Sequence, residues 1–121
     1  MQPERVNWPD KMGGFKIVQL YVDGEPYMRF GDAHGIHGHI LREALDVLGI
    51  RYGTMKNRQG YDIPLAKGEK YRASGMGHAY VVPRLKRAAL SNNSLDYQIG
   101  IDVEHAKRIA VLEPEWTLQF G

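Results

Sequence analysis

The sequence predicts an α+β fold: a mixed sheet of about five strands with two or three helices packed on it. Three observations carry this expectation. Two branched and aromatic runs, Phe15 to Val22 and Glu25 to Gly31, flank Asp23-Gly24, the dipeptide of a tight hairpin. Ile36, Ile40, Leu41, Ala44, Leu45 and Leu48 recur at helical spacing. Trp116, Leu118 and Phe120 alternate like a closing strand.

In the first strand Lys16, Val18, Leu20 and Val22 share one face, and Phe15, Ile17, Gln19 and Tyr21 share the other. Both faces are largely apolar, which predicts a central strand covered on both sides, with Lys16 at the rim of one face. The helix is expected from about residue 34 to 48, with Asp32 as its N-cap and Gly49 as its stop. Residues 51–58 read as a strand, 60–68 as a loop containing Pro64, and 69–76 as a strand. Residues 82–90 favour helix, because Pro83 suits a first turn and Leu85, Ala88 and Ala89 make a short apolar stripe. Asn92, Asn93 and Ser94 break the chain, and residues 96–101 alternate as a strand. Asp102 is expected to cap a last helix over 103–112, ended by Pro114.

A chain of 121 residues holds one domain, expected to span 1–121 with a loose polar lead-in over 1–13. Hydrophobic residues at 43% and charged residues at 25% exclude disordered, collagenous and coiled-coil classes. With no cysteine, disulfides, thiolate nucleophiles and cysteine-held metal sites are excluded. No run of about 20 apolar residues exists to span a membrane, and the polar start lacks a signal core, so a soluble cytoplasmic protein is expected. The net charge of +2 permits an anionic ligand without demanding nucleic acid.

The segment from Gly31 to His39, G-D-A-H-G-I-H-G-H, is the chemically densest stretch. One reading is a phosphate site: a helix start offers unpaired N–H groups and partial positive charge, Gly35 allows close approach, and a histidine moves protons near neutrality. A second is a metal site built on Asp32, His34, His37 and His39, although the HExxH spacing is absent. A third is a set of solvated helix-terminal residues, with His37 edging the apolar stripe.

In order and spacing, several segments over residues 13–102 resemble the Janus/Ocnus-type protein histidine phosphatases. The Phe15-Lys16 pair opens a strand that ends in a hairpin, and His34 has the place of the family's catalytic histidine at the start of the first helix. Arg58, in M-K-N-R-Q-G, stands at the family's arginine turn. Gly75 to Tyr80, G-M-G-H-A-Y, is similar to the family's serine segment, with Gly77 at the serine's position and residues 82–90 as the following helix. Another register is open, with Ser94 to Tyr97 as the serine segment and the last helix as the family's second. The first is preferred because it needs no inserted hairpin, and it makes 103–121 a C-terminal extension. The pattern leaves His37, His39 and His78 unexplained.

The resemblance implies hydrolysis of phosphohistidine or a related phosphoramidate, without metal or other cofactor. His34 would be the general base. The backbone amides of His34 and Gly35, and those of Gly77, His78 and Ala79, would hold phosphoryl oxygens, with Lys16 and Arg58 neutralising charge. The expected partner is a phosphorylated protein or a small phosphoramidate. Two other functions stand beside it: a non-enzymatic phosphate- or nucleic-acid-binding module on the same fold, and a metal-dependent hydrolase using the Asp32, His34, His37 and His39 cluster.

Overall fold

The computed structural model describes residues 4–120; the first three residues of the expected lead-in and Gly121 lie outside the described residues. Gly13–Val22 (β1) and Glu25–Asp32 (β2) form the expected hairpin. Asp23 and Gly24 take φ of 50° and 80°, the pair of positive angles that a two-residue I′ turn requires.

The next element is helix α1, His37–Leu48, which starts three residues later than its apolar spacing suggests. Asp32 does not cap it. Its carboxylate accepts the His34 amide and its carbonyl accepts the Gly35 amide, so Asp32 organises a turn of its own before the helix. Ile36 is the extended residue at the helix start, and its side chain makes no cap. Gly49 ends α1 in the left-handed region, as expected.

Thr54–Lys56 (β3) and Asp62–Pro64 (β4) pair in a small hairpin apart from the main sheet, so only three residues of the strand expected over 51–58 form it. Tyr71–Val82 (β5) runs for 12 residues, well past the expected end at 76. Residues 82–90 are not a helix. Pro83–Leu85 make one 3₁₀ turn, Lys86 leaves it at φ 49°, and Arg87–Ser91 (β6) pairs antiparallel with β5. Ala88 and Leu90 are buried and Arg87 and Ser91 exposed, the alternation of a strand. The run is short enough to fit either period, and the free edge of β5 decides it.

Asn93–Ser94 (β7) and Ile99–Gly100 (β8) are two-residue strands pairing with each other, where a longer strand over 96–101 was expected. Helix α2, Val103–Leu112, is capped as expected: the Asp102 carboxylate accepts the His105 amide. Thr117–Gln119 (β9) then pairs in parallel with β6. The sheet order is β2-β1-β5-β6-β9, a mixed five-stranded sheet with two helices, an α+β architecture. No helix among the described residues is long and apolar enough to cross a membrane.

The two faces of β1 carry two cores. Val18, Leu20 and Val22 pack under Leu41, Ala44 and Leu45 of α1. On the other face Ile17 joins Met28, Val81 and Leu90, with Ala106 and Ile109 of α2 above them. At 25 cal/mol per Å² such side chains each contribute about 1.5–3 kcal/mol when buried. The lead-in is not loose in its described part. Arg5 carbonyl accepts the Met28 amide, Arg29 reaches back to the carbonyls of Glu4 and Arg5, and Trp8 stacks on Trp116 at 3.8 Å. Residues 5–8 thereby cover the outer edge of β2, which would otherwise offer unpaired backbone.

A bulge between Gln19/Leu20 of β1 and Ala73/Gly75 of β5 positions the rest of the molecule. The extra residue, Ser74, reverses the alternation of β5. Beyond it Met76 and His78 pair with Val18 and Lys16, facing α1, while Gly75 and Gly77 face α2.

Candidate functional site

A cleft of about 600 Å³ opens where the first turn of α1 meets the rim of the sheet. Its floor is Lys16 and His78, partners on adjacent strands, and its wall is Ile36 and His37. Arg58 comes from the loop between β3 and β4, and residues 92–96 close the far side.

His37 is 6% exposed and is the best-defined group in the cleft. Its Nε2 lies 2.8 Å from the Gly77 carbonyl oxygen. A carbonyl only accepts, so Nε2 carries the hydrogen and donates it. The neutral ring then has its lone pair at Nδ1. Burial pushes the His37 imidazole below its ordinary value. The nearby charges of Lys16 and His78 push the same way, against the Gly77 hydrogen bond and Asp96. His37 is therefore held as the free base near neutral pH.

Lys16 donates from Nζ to the Gly35 carbonyl, which fixes its ammonium beside the turn that precedes α1. The amides of His37 and Gly38 open the helix with no intrahelical acceptor, and no side chain caps them. His78 stands with its ring centroid 6.0 Å from that of His37 and the planes 13° apart. The Asn92 side-chain amide donates to His78 Nδ1 at 3.1 Å. Arg58, 71% exposed, pairs at 3.6 Å with Asp96, whose carboxylate is 15% exposed and also takes a bond from Asn57.

Lys16, Arg58 and His78 line one cleft, His78 with its ring rather than the backbone amide that the resemblance implied. His34 does not join them. It is exposed, outside the cleft lining, and its amide is committed to Asp32. Gly35 is committed on both sides, its amide to Asp32 and its carbonyl to Lys16. The free amides belong to His37 and Gly38, because the turn built by Asp32 displaces the helix start by one turn. Ala79 is buried in the ladder between Phe15 and Leu90, away from the cleft. Gly77 contributes a carbonyl rather than an amide. A Cβ at Gly77 would run into the Ser91 carbonyl and Ile101 on the opposite face, so a serine hydroxyl there has no room and no path to the cleft.

Asp32, His34, His37 and His39 do not converge. Among the described residues no group of three or more histidine or carboxylate side chains is arranged to hold a metal ion. His39 instead sits edge-on to Tyr61.

No protein-family model and no curated protein matches this chain. The phosphate-site reading assigned no role to His37, Asn92 or Asp96; His37 entered only as a metal-ligand candidate or as the edge of the apolar stripe, and Asn92 only as part of a break. Only His37 carried a signal, as the one histidine at the edge of the apolar stripe of α1. Asn92 follows β6 directly, and Asp96 lies in the turn between β7 and β8, so both are brought to the cleft by the strand that residues 87–91 form instead of a helix.

Proposed function

We propose that this chain is a small phosphatase acting on phosphohistidine or a related phosphoramidate, with His37 rather than His34 as its general base. The observation that carries the reading is the fixed tautomer of His37: Nε2–H is spent on Gly77, and a basic Nδ1 stands at an uncapped helix start beside Lys16. A phosphoryl group at this point meets the His37 amide, the helix dipole and an ammonium, donors of the kind that phosphoryl transfer requires. Arg58 at the mouth adds a charge that can swing from Asp96 to the substrate. Water attacks phosphorus, His37 Nδ1 takes its proton, and the protonated nitrogen leaves. A phosphoramidate nitrogen gains its proton readily, so a modest site suffices. None of these steps calls on a metal ion.

The test is phosphate release from phosphoramidate and from a phosphohistidine peptide by the wild type and by His37→Ala. The expected result is turnover that His37→Ala abolishes with the fold intact and that a chelator leaves unchanged. Turnover undiminished in His37→Ala overturns the reading. The non-enzymatic binding module is the second reading, favoured by position 77, where no hydroxyl can stand. It predicts phosphate binding at Lys16 and His37 without turnover, weakened steeply by salt.

A further inference from the structure

His78 has no part in the steps above, yet it occupies the floor of the same cleft. We infer that His78 is a general acid paired with His37, so that the site also hydrolyses phosphate monoesters, whose leaving oxygen needs a proton. This rests on the phosphatase reading and extends its substrate class.

The two rings are complementary. Each has one nitrogen tied to the protein and one left for substrate: His37 keeps Nδ1, and His78 keeps Nε2. The partners differ in kind. Gly77 offers only a carbonyl, which fixes the neutral His37 ring as one tautomer with its lone pair at Nδ1. Asn92 offers an amide, which serves either state of His78. Its nitrogen donates to Nδ1 of the neutral ring, and its oxygen, after a half-turn of the amide, accepts from Nδ1–H of the imidazolium. One ring is built to accept a proton, the other to change state.

Charge separates the two further. His37 is buried and His78 half-buried, and a proton on His78 disfavours a second on His37. The charged groups of the same cleft are Lys16 from β1, His37 from α1, and Arg58 and Asp96 from the loops. The centroid separation of 6.0 Å leaves the rings too close to sandwich a phosphoryl group between their faces and close enough to flank one along their edges.

The step balances. Water forms a bond to phosphorus and gives a proton to His37 Nδ1. The bond from phosphorus to the leaving oxygen breaks, and that oxygen takes the proton from His78 Nε2. Inorganic phosphate and an alcohol or phenol leave. His37 is then imidazolium and His78 neutral, and solvent returns the proton from one to the other. Phosphoramidates do not need His78, because their nitrogen is protonated from solution. Esters with poor leaving groups do.

The experiment measures kcat/KM from pH 5 to 9 for phosphoramidate and for aryl phosphates of graded leaving-group acidity. It uses the full chain, His78→Gln and Asn92→Gly. Asn92 sits at φ 65°, which glycine adopts without strain, so the second variant removes the amide and keeps the turn. In His78→Gln we expect a loss of about threefold or less for phosphoramidate and dinitrophenyl phosphate, rising to about 100-fold for phenyl phosphate. The alkaline limb of the ester profile disappears. Asn92→Gly shows the same trend at smaller size, and inhibition by inorganic phosphate is little changed in both. A loss that is uniform across leaving groups, or an alkaline limb that survives in His78→Gln, overturns the inference. Wild-type turnover of phosphoramidate with none of any ester overturns it and leaves the phosphatase reading standing. No turnover of any substrate overturns both.

Discussion

At the scale of single residues, His37 and Lys16 divide the work of the cleft in a way that kinetics can separate. In the proposed reaction His37 takes the proton of the attacking water, so its loss belongs in kcat. His37→Gln is expected to lower kcat by about 10²–10⁴-fold while inorganic phosphate still inhibits. Lys16 contributes charge to phosphate in both ground and transition states, so Lys16→Met is expected to weaken phosphate inhibition by about tenfold or more, with KM rising alongside. A Lys16→Met variant that binds phosphate normally would detach Lys16 from the site. Position 77 makes the sharpest contrast with sequence reasoning. By spacing it looks like a site that has lost a hydroxyl. In the folded chain a side chain there strikes the Ser91 carbonyl. Gly77→Ser is therefore expected to destabilise by about 1–3 kcal/mol in urea melts without raising turnover. A gain in rate would show that the serine belongs there.

At the scale of elements, what was legible depended on length and period. The β1–β2 hairpin and the body of α1 were readable because ten and twelve residues repeat one period, and the turn dipeptide and Gly49 punctuate them. Residues 82–90 were not, since a run with one proline and five small or apolar residues fits both periods, and the choice is made by pairing with the free edge of β5. The bulge at Ser74 was invisible for a related reason: a one-residue slip leaves composition unchanged and exchanges which of Gly77 and His78 faces α1. Its structural counterpart is legible only in space. Gly75 vacates room for the buried Gln19 side chain, which donates to the Asp102 carbonyl and accepts the Asp102 amide, both at 2.8 Å. This clasp fixes the N-terminus of α2 on β1. Gln19→Leu leaves the half-buried Asp102 amide without a partner and is expected to cost about 1–3 kcal/mol, measured as a lower urea midpoint with an unchanged slope. A neutral result would mean that water replaces the amide.

At the scale of the whole molecule, two buried histidines couple stability to pH. His105, on the inner face of α2, is fully buried. Its Nε2–H donates to the Leu20 carbonyl, and Nδ1 faces the Gln19 amide nitrogen at 3.4 Å. A second ring proton would point at that NH₂ group, and burial already holds the His105 imidazole below its ordinary value, as it does for His37. Unfolded, both rings titrate near 6.5. Below that pH the unfolded chain therefore binds protons that the folded chain refuses. Stability is fully present above about pH 6.5 and falls as pH drops through the sixes and fives, above the range where carboxylates are protonated. Urea midpoints at pH 7.5, 6 and 5 should decline in that order. His105→Gln should start lower at pH 7.5, having lost its bond to Leu20, and decline less, having lost one of the two groups that take up protons on unfolding. A stability that stays level from pH 7.5 to 5, or rises on acidification, would mean that both rings carry their protons inside the fold, and a protonated His37 cannot be the base this site requires.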